Sequence, residues 1–272
     1  MKETSSLIKI DKILIATDGS KAAKFAAYAA VEFAKLWKSK VYVVCVAEVP
    51  IFAAEFVAII IDTLEKRAVQ ALEEIKAIVT KASIRCETIS YVGFEPYKYI
   101  IDEAIKNNVD LIVLGKKGFM LGTVGKKVIG NAPCKTLVVP VDATLNFKRI
   151  LIATDGSIYS QIAAVEAIGM AKRFGSVLIV ISVAKRDENV PYAENAVRTV
   201  KEVAKGEGVK VQTVVARGEP FEMIVDTANK NATGLIVMGK YGRTGIEKFF
   251  MGSVTERVIA LASCPILVVR KR

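Results

Sequence analysis

The sequence predicts an α/β protein made of two tandem domains, each a five-stranded parallel sheet with helices on both faces. Three observations carry that reading. The stretch ILIATDGS occurs at residues 13–20 and again, letter for letter, at residues 150–157. Each copy opens the same series, in which short apolar β-branched runs alternate with runs of 3.6-residue period, as in parallel strands joined by crossover helices. The 272 residues, 52% hydrophobic and 25% charged, are enough for two packed domains of ordinary size.

The elements follow in order. KILIATD is a continuous apolar run, the mark of a strand covered on both faces, and SKAAKFAAYAAVEFAKLW keeps a helical period. VYVVCVA is a second buried strand, followed by a long helical stretch near 52–82. CETISYV, a helix near 96–107, the strand LIVLG, a Gly-rich loop, a short helix and KTLVVP complete the first half. The second half repeats the series with RILIATD, SIYSQIAAVEAIGMAKRF, SVLIVISVA, a helix, VQTVVA, a helix, LIVMG, a Gly-rich loop, a helix and PILVV. The connection around VDATLNF at 141–147 is short, which places the domains at 1–143 and 144–272 and implies that they are docked. The halves are unequal between their second and third strands, where the first carries the apolar VPIFAAEFVAIII at 49–61. A helix that apolar is expected to be covered by the other half or by another subunit.

Composition narrows the function. The net charge of +11 is spread over both halves with no separate basic tract, and aromatics are 7% with no RNA-reading signature. That favours a solvated basic surface over a nucleic-acid interface. The four cysteines, Cys45, Cys86, Cys134 and Cys264, lie far apart with no CxxC pair, as small hydrophobes in a reducing compartment do. The opening MKETSSLIKIDK has no apolar signal core, and the run at 49–61 carries Glu55 and is too short to span a bilayer. A cytoplasmic protein without membrane association is expected. The absence of histidine removes the commonest metal ligand and the usual neutral-pH base, and neither a catalytic nor a metal-ligating set stands out.

In an open parallel sheet, ligands bind beyond the carboxyl ends of the strands. The residues there are Asp18 and Asp155 after the first strands, Val46 and Val183 at the second, and the Gly-rich loops after the fourth. The loop of the second half reads GKYGRTGIEKFFMGSVTERV, with Gly239, Gly242, nine intervening residues, then Gly252 and Ser253. Glycines let backbone amides approach a ligand, and Ser253 with Glu256 three residues on has capping-box spacing. A helix N-terminus with free amides is a ready phosphate site, with Lys240 and Arg243 adding positive charge. Taken alone, such a loop is equally simple turn geometry, and no P-loop occurs. An Asp followed by Gly-Ser can likewise just cap the next helix.

With these residues in view, each half resembles a universal stress protein domain, and the whole chain beyond about the first ten residues resembles a tandem universal stress protein. The second half matches the family's nucleotide motif, G-x2-G-x9-G-[S/T], at Gly239, Gly242, Gly252 and Ser253. The resemblance implies a sheet of order 3-2-1-4-5 in each half. It implies an adenine nucleotide, as ATP, ADP or AMP, with Mg²⁺ or Mn²⁺ alongside the phosphates. It places Asp155 against the adenosine portion, Val183 against the adenine through its backbone, and the loop glycines and Ser253 on the phosphates. It also implies pairing of the fifth strands, KTLVVP and PILVVR, within one chain, and allows a homodimer.

The first half keeps Asp18, Val46, Gly115 and Gly118, but its loop reads GKKGFMLGTVGKKV. If Gly122 and Thr123 match Gly252 and Ser253, the nine-residue spacer has shrunk to three, which span at most ~10 Å. Lys126 stands where Glu256 stands, placing a cation in the first helical turn against the dipole. Two readings follow: the first half has lost triphosphate binding, or Lys116, Lys117, Lys126 and Lys127 hold a smaller phosphate such as that of AMP. The first is favoured. For the chain as a whole the leading function is nucleotide-dependent stress response or regulation. The alternatives are slow ATP hydrolysis, for which no residue stands out as a base, and a nucleotide-independent dimeric scaffold.

Overall fold

A computed structural model of the chain describes residues 9–49, 57–118, 121–243 and 251–271, with side chains from residue 60 onward in the second stretch. These residues fall into two compact units, Lys9–Asp142 and Ala143–Arg272. The first runs β1 (Lys12–Thr17), α1 (Lys21–Trp37), β2 (Lys40–Glu48), α2 (Val57–Lys81), β3 (Cys86–Gly93), α3 (Pro96–Lys106), β4 (Leu111–Lys116), α4 (Thr123–Asn131) and β5 (Lys135–Pro140). The second runs β6 (Arg149–Ala153), α5 (Ile158–Phe174), β7 (Val177–Ala184), α6 (Val190–Gly206), β8 (Lys210–Arg217), α7 (Pro220–Lys230), β9 (Leu235–Gly239), α8 (Ser253–Leu261) and β10 (Ile266–Val269).

Every strand pairing within a unit is parallel, in the order β3-β2-β1-β4-β5 in the first and β8-β7-β6-β9-β10 in the second. This is the 3-2-1-4-5 order that the resemblance implied. The continuous apolar runs are the interior strands: Ile13, Leu14, Ile15, Leu111, Ile112 and Val113 are fully buried, as are Ile150, Leu151 and Ile152. A strand covered by helices on both faces has no solvent side to make polar. The outer strands β3 and β8 instead alternate exposed and half-buried positions over much of their length, as edge strands do. α1 packs with α2 and α3 with α4; α5 with α6 and α7 with α8 repeat the scheme.

The repeated TDGS folds the same way twice. Ser20 caps α1 by accepting from the Ala23 amide (3.3 Å), and Ser157 caps α5 by accepting from the Ser160 amide (3.2 Å). Gly19 and Gly156 take φ of +76° and +79°, which side chains rarely adopt, so the turn needs its glycine. α2 buries Ala68, Ala71, Leu72, Ile75 and Val79, a helical stripe facing the sheet. It is 25 residues long against 17 for α6. The expected covering of the apolar stretch 49–61 falls mostly outside the described residues; Ile61 at its end is exposed. No helix among the described residues is long and apolar enough to cross a membrane. None of the four cysteines is in a disulfide. Burial pushes the Cys45 and Cys86 thiols up to about 11, which suits packing rather than reactivity.

Candidate functional site

In the second unit the chain ends of β6, β7 and β9 bring Asp155, Val183 and Gly239 to the same edge of the sheet. Asp155 is half-buried, and its two oxygens serve two different segments. Oδ1 accepts from the Ser157 amide at 3.0 Å, within its own turn; Oδ2 accepts from the Arg243 amide at 2.8 Å, across the site. Burial works to raise its pKa, but the hydrogen bonds from Ser157, Arg243 and Ser160 outweigh it and hold the carboxyl below its ordinary value.

The glycines of this loop have separate reasons. A Cβ on Gly239 would lie 2.8 Å from the backbone C and O of Tyr159, because the first turn of α5 lies across the end of β9. A Cβ on Gly242 would lie 2.8 Å from Asp155 Oδ2. Gly252 differs: its nearest neighbour among the described residues would be 3.4 Å away and its φ is −67°, so neither those residues nor the backbone requires glycine there. The base of the loop is closed by Gly252 N–H donating to the Lys240 carbonyl (2.9 Å) and by the buried Thr255 hydroxyl donating to the Gly239 carbonyl (3.0 Å).

The expected capping box does not form. Gly252 is the N-cap of α8 and Ser253 is its first helical residue, so no side chain caps the helix. No described side chain accepts from the first-turn amides that Ser253 was to satisfy, and such amides suit another acceptor. Around them, the Arg243 guanidinium lies 6.0 Å above the Tyr192 ring, Lys240 lies 5.0 Å above Tyr241, and Tyr241 meets Tyr159 edge-on at 5.4 Å. Tyr192 and Tyr241 went unread in the sequence. Tyr241 sits inside the loop as a non-glycine position, and Tyr192 arrives from α6 with no local signal.

The first unit has the same turn but a different neighbourhood. A cavity of about 1110 Å³ opens at its strand ends, lined by Asp18, Val46, Gly115, Gly122 and Thr123 among others. Gly118 is not among its lining residues; its φ is +64°, and no described atom stands within 4 Å of where a Cβ would be. Gly115 matches Gly239, since a Cβ there would meet the Ala22 backbone. Asp18 is exposed, and Oδ1 accepts from the Ser20 amide at 3.0 Å, while no described loop residue reaches Oδ2. Gly122 caps α4 without a side-chain bond and has no close neighbour among the described residues, so this helix end is as open to them as that of α8.

The four lysines do not act as the set that the sequence suggested. Lys116 is buried as the last residue of β4, and neither it nor Lys126 lines the cavity. Lys127 does, but it is engaged by Glu95 at 3.6 Å and by the Tyr97 ring at 4.8 Å. Lys117 and, unforeseen, Arg67 of α2 supply the remaining positive charge. Among the described residues no group of three His, Cys, Asp or Glu could hold a metal.

Comparison with known proteins gives both halves the same kinship. The model of the universal stress protein family matches residues 9–140 and again 146–270. A universal stress protein of Methanocaldococcus jannaschii is 39% identical over 141 residues, 46% of this chain and 83% of its own. One from Bacillus subtilis is 30% identical over 151 residues, 46% of this chain and 99% of its own. The crystal structure of a universal stress protein from Archaeoglobus fulgidus shares the fold with a TM-score of 0.81, covering 97% of this chain and 100% of its own at 24% identity.

Proposed function

This chain belongs to the universal stress protein family in both halves, and from that premise we propose that it is an adenine-nucleotide-binding regulatory protein whose triphosphate site lies in the second domain. One observation carries the anion site; because it recurs at Gly122, the choice of the second domain for a triphosphate rests on the nine-residue spacer of its loop against three residues in the first. Gly252 occupies the N-cap of α8 although neither its described neighbours nor its φ asks for glycine. Its missing side chain leaves the first-turn amides open, at the end of the helix that attracts anions. The other loop glycines are weaker support, because packing against Tyr159 and Asp155 already explains them.

In this reading the first-turn amides of α8, from Ser253 onward, take the phosphates, with Lys240 and Arg243 nearby. The remaining lone pairs of Asp155 receive hydroxyls of the sugar, and the backbone at Val183 meets the base. Mg²⁺ or Mn²⁺ would be carried by the phosphates. Occupancy, rather than turnover, is then the signal. A scaffold in which the loop is purely structural is the second reading, and the packing roles of Gly239 and Gly242 favour it.

Gly252→Asp separates the two. Asp suits an extended N-cap and would improve on glycine by a few tenths of a kcal/mol. It would also place a carboxylate where the phosphate belongs. The expected result, by calorimetry and thermal unfolding, is a protein at least as stable as the parent with ATP affinity reduced more than about tenfold. A parent chain that binds no ATP supports the scaffold.

A further inference from the structure

We propose that Asp155 is a positioning residue for the start of the glycine loop: it pins the Arg243 amide, and Tyr192 steadies the same residue, so the Gly242–Arg243 turn is docked before any ligand arrives. The effect on phosphate binding rests on the nucleotide reading above; the latch itself does not.

The geometry is specific. The carboxylate joins two segments 88 residues apart, one oxygen to each, through the Ser157 and Arg243 amides. Hydrogen bonds to an ionised acceptor are about twice as strong as neutral ones. A Cβ on Gly242 would stand 2.8 Å from the accepting oxygen, so a side chain there crowds the latch and the carboxylate has to shift to admit it. The glycine that the sequence marks as clearance for a ligand is thus, in the first place, clearance for the latch. The Arg243 side chain adds a second, weaker anchor 6.0 Å over the Tyr192 ring.

The first domain lacks both anchors among its described residues. Gly118, the match of Gly242, faces open space, and Asp18 accepts only from its own turn. The helix after the second strand touches the turn glycine through Ala71 in one unit and Ala196 in the other, which aligns Arg67 with Tyr192. A cation stands in the first domain where the second offers an aromatic ring.

The test uses the full chain without ligand, reading the exchange of the Arg243 amide by NMR, and then calorimetry with inorganic tripolyphosphate and, separately, with adenosine. Asp155→Asn keeps the shape but turns one acceptor into a donor. It should speed Arg243 exchange by about tenfold or more and weaken tripolyphosphate by about the same factor. Gly242→Ala, which leaves Asp155 in place, should do likewise and covers the case in which the Asn variant folds poorly. Tyr192→Leu should change both readouts by about two- to threefold. If Asp155 serves only the nucleoside, Asp155→Asn weakens adenosine while Arg243 exchange and tripolyphosphate binding stay at parent values, and the proposal fails. If the parent binds neither probe, the nucleotide reading fails and Arg243 exchange alone decides: protection supports the latch, and exchange at a free-loop rate overturns it.

Discussion

The two domains make the same turn and then diverge. In each, the Thr hydroxyl accepts from the Gly amide, the Asp Oδ1 accepts from the Ser amide, and the Ser hydroxyl caps the helix. In the second domain the other Asp oxygen also holds the glycine loop; in the first the Asp is exposed beside an open cavity. The repeated ILIATDGS therefore encodes a way of leaving a strand and starting a helix. What each Asp then does is set by a loop about a hundred or fewer residues downstream.

The largest effects should come from the strand-end glycines, where the domains agree. Gly115→Val and Gly239→Val force a side chain onto the backbone of the facing helix. Each should cost more than about 3 kcal/mol in denaturant unfolding, beyond the ordinary penalty for overpacking. The loss from Gly115→Val should be the greater, its helix being nearer.

Next comes a group that only the first domain has. Glu103 is 2% exposed and accepts from the Tyr91 hydroxyl (2.7 Å), Lys106 (2.9 Å) and the Asn107 amide nitrogen (2.8 Å). Its counterpart is Thr227, whose carbonyl accepts from Asn231 as that of Glu103 does from Asn107. Glu103→Ala should cost about 2–3 kcal/mol through the partners it strands. Burial pushes the Glu103 carboxyl up, but the Tyr91, Lys106 and Asn107 hydrogen bonds prevail and hold it low. A lowered carboxyl stabilises the fold above its unfolded pKa of about 4.3, and that contribution fades as pH falls through the folded value. Acid titration of the parent and of Glu103→Gln, read by first-domain signals, should show a flatter profile in the variant below about pH 4.3.

The smallest effect tests the sameness of the turns. Ser20→Ala and Ser157→Ala should each cost about 1 kcal/mol, with no difference between domains. Unequal costs would mean that the two turns are not interchangeable even as caps.

Much of the fold was legible because buried parallel strands must be apolar throughout. Short β-branched runs such as ILIA and LIVL, bounded by helical periods, read as strands of that kind. The site was legible only where its signal is local. The spacing of Gly239, Gly242, Gly252 and Ser253 is visible in sequence, whereas Tyr192 and Arg67 reach the strand ends from distant helices. Reading Ser253 as a cap failed because Gly252, one residue earlier, takes the extended cap conformation. Reading four lysines as one cluster failed because β4 carries Lys116 into its buried end.

The asymmetry itself is tested most directly by counting. The full chain is saturated with ATP and freed of excess, and the nucleotide released on denaturation is identified by mass spectrometry and quantified. One adenine nucleotide per chain is expected, lost in Gly252→Asp. Two per chain, or one that survives Gly252→Asp, would contradict a triphosphate site confined to the second domain.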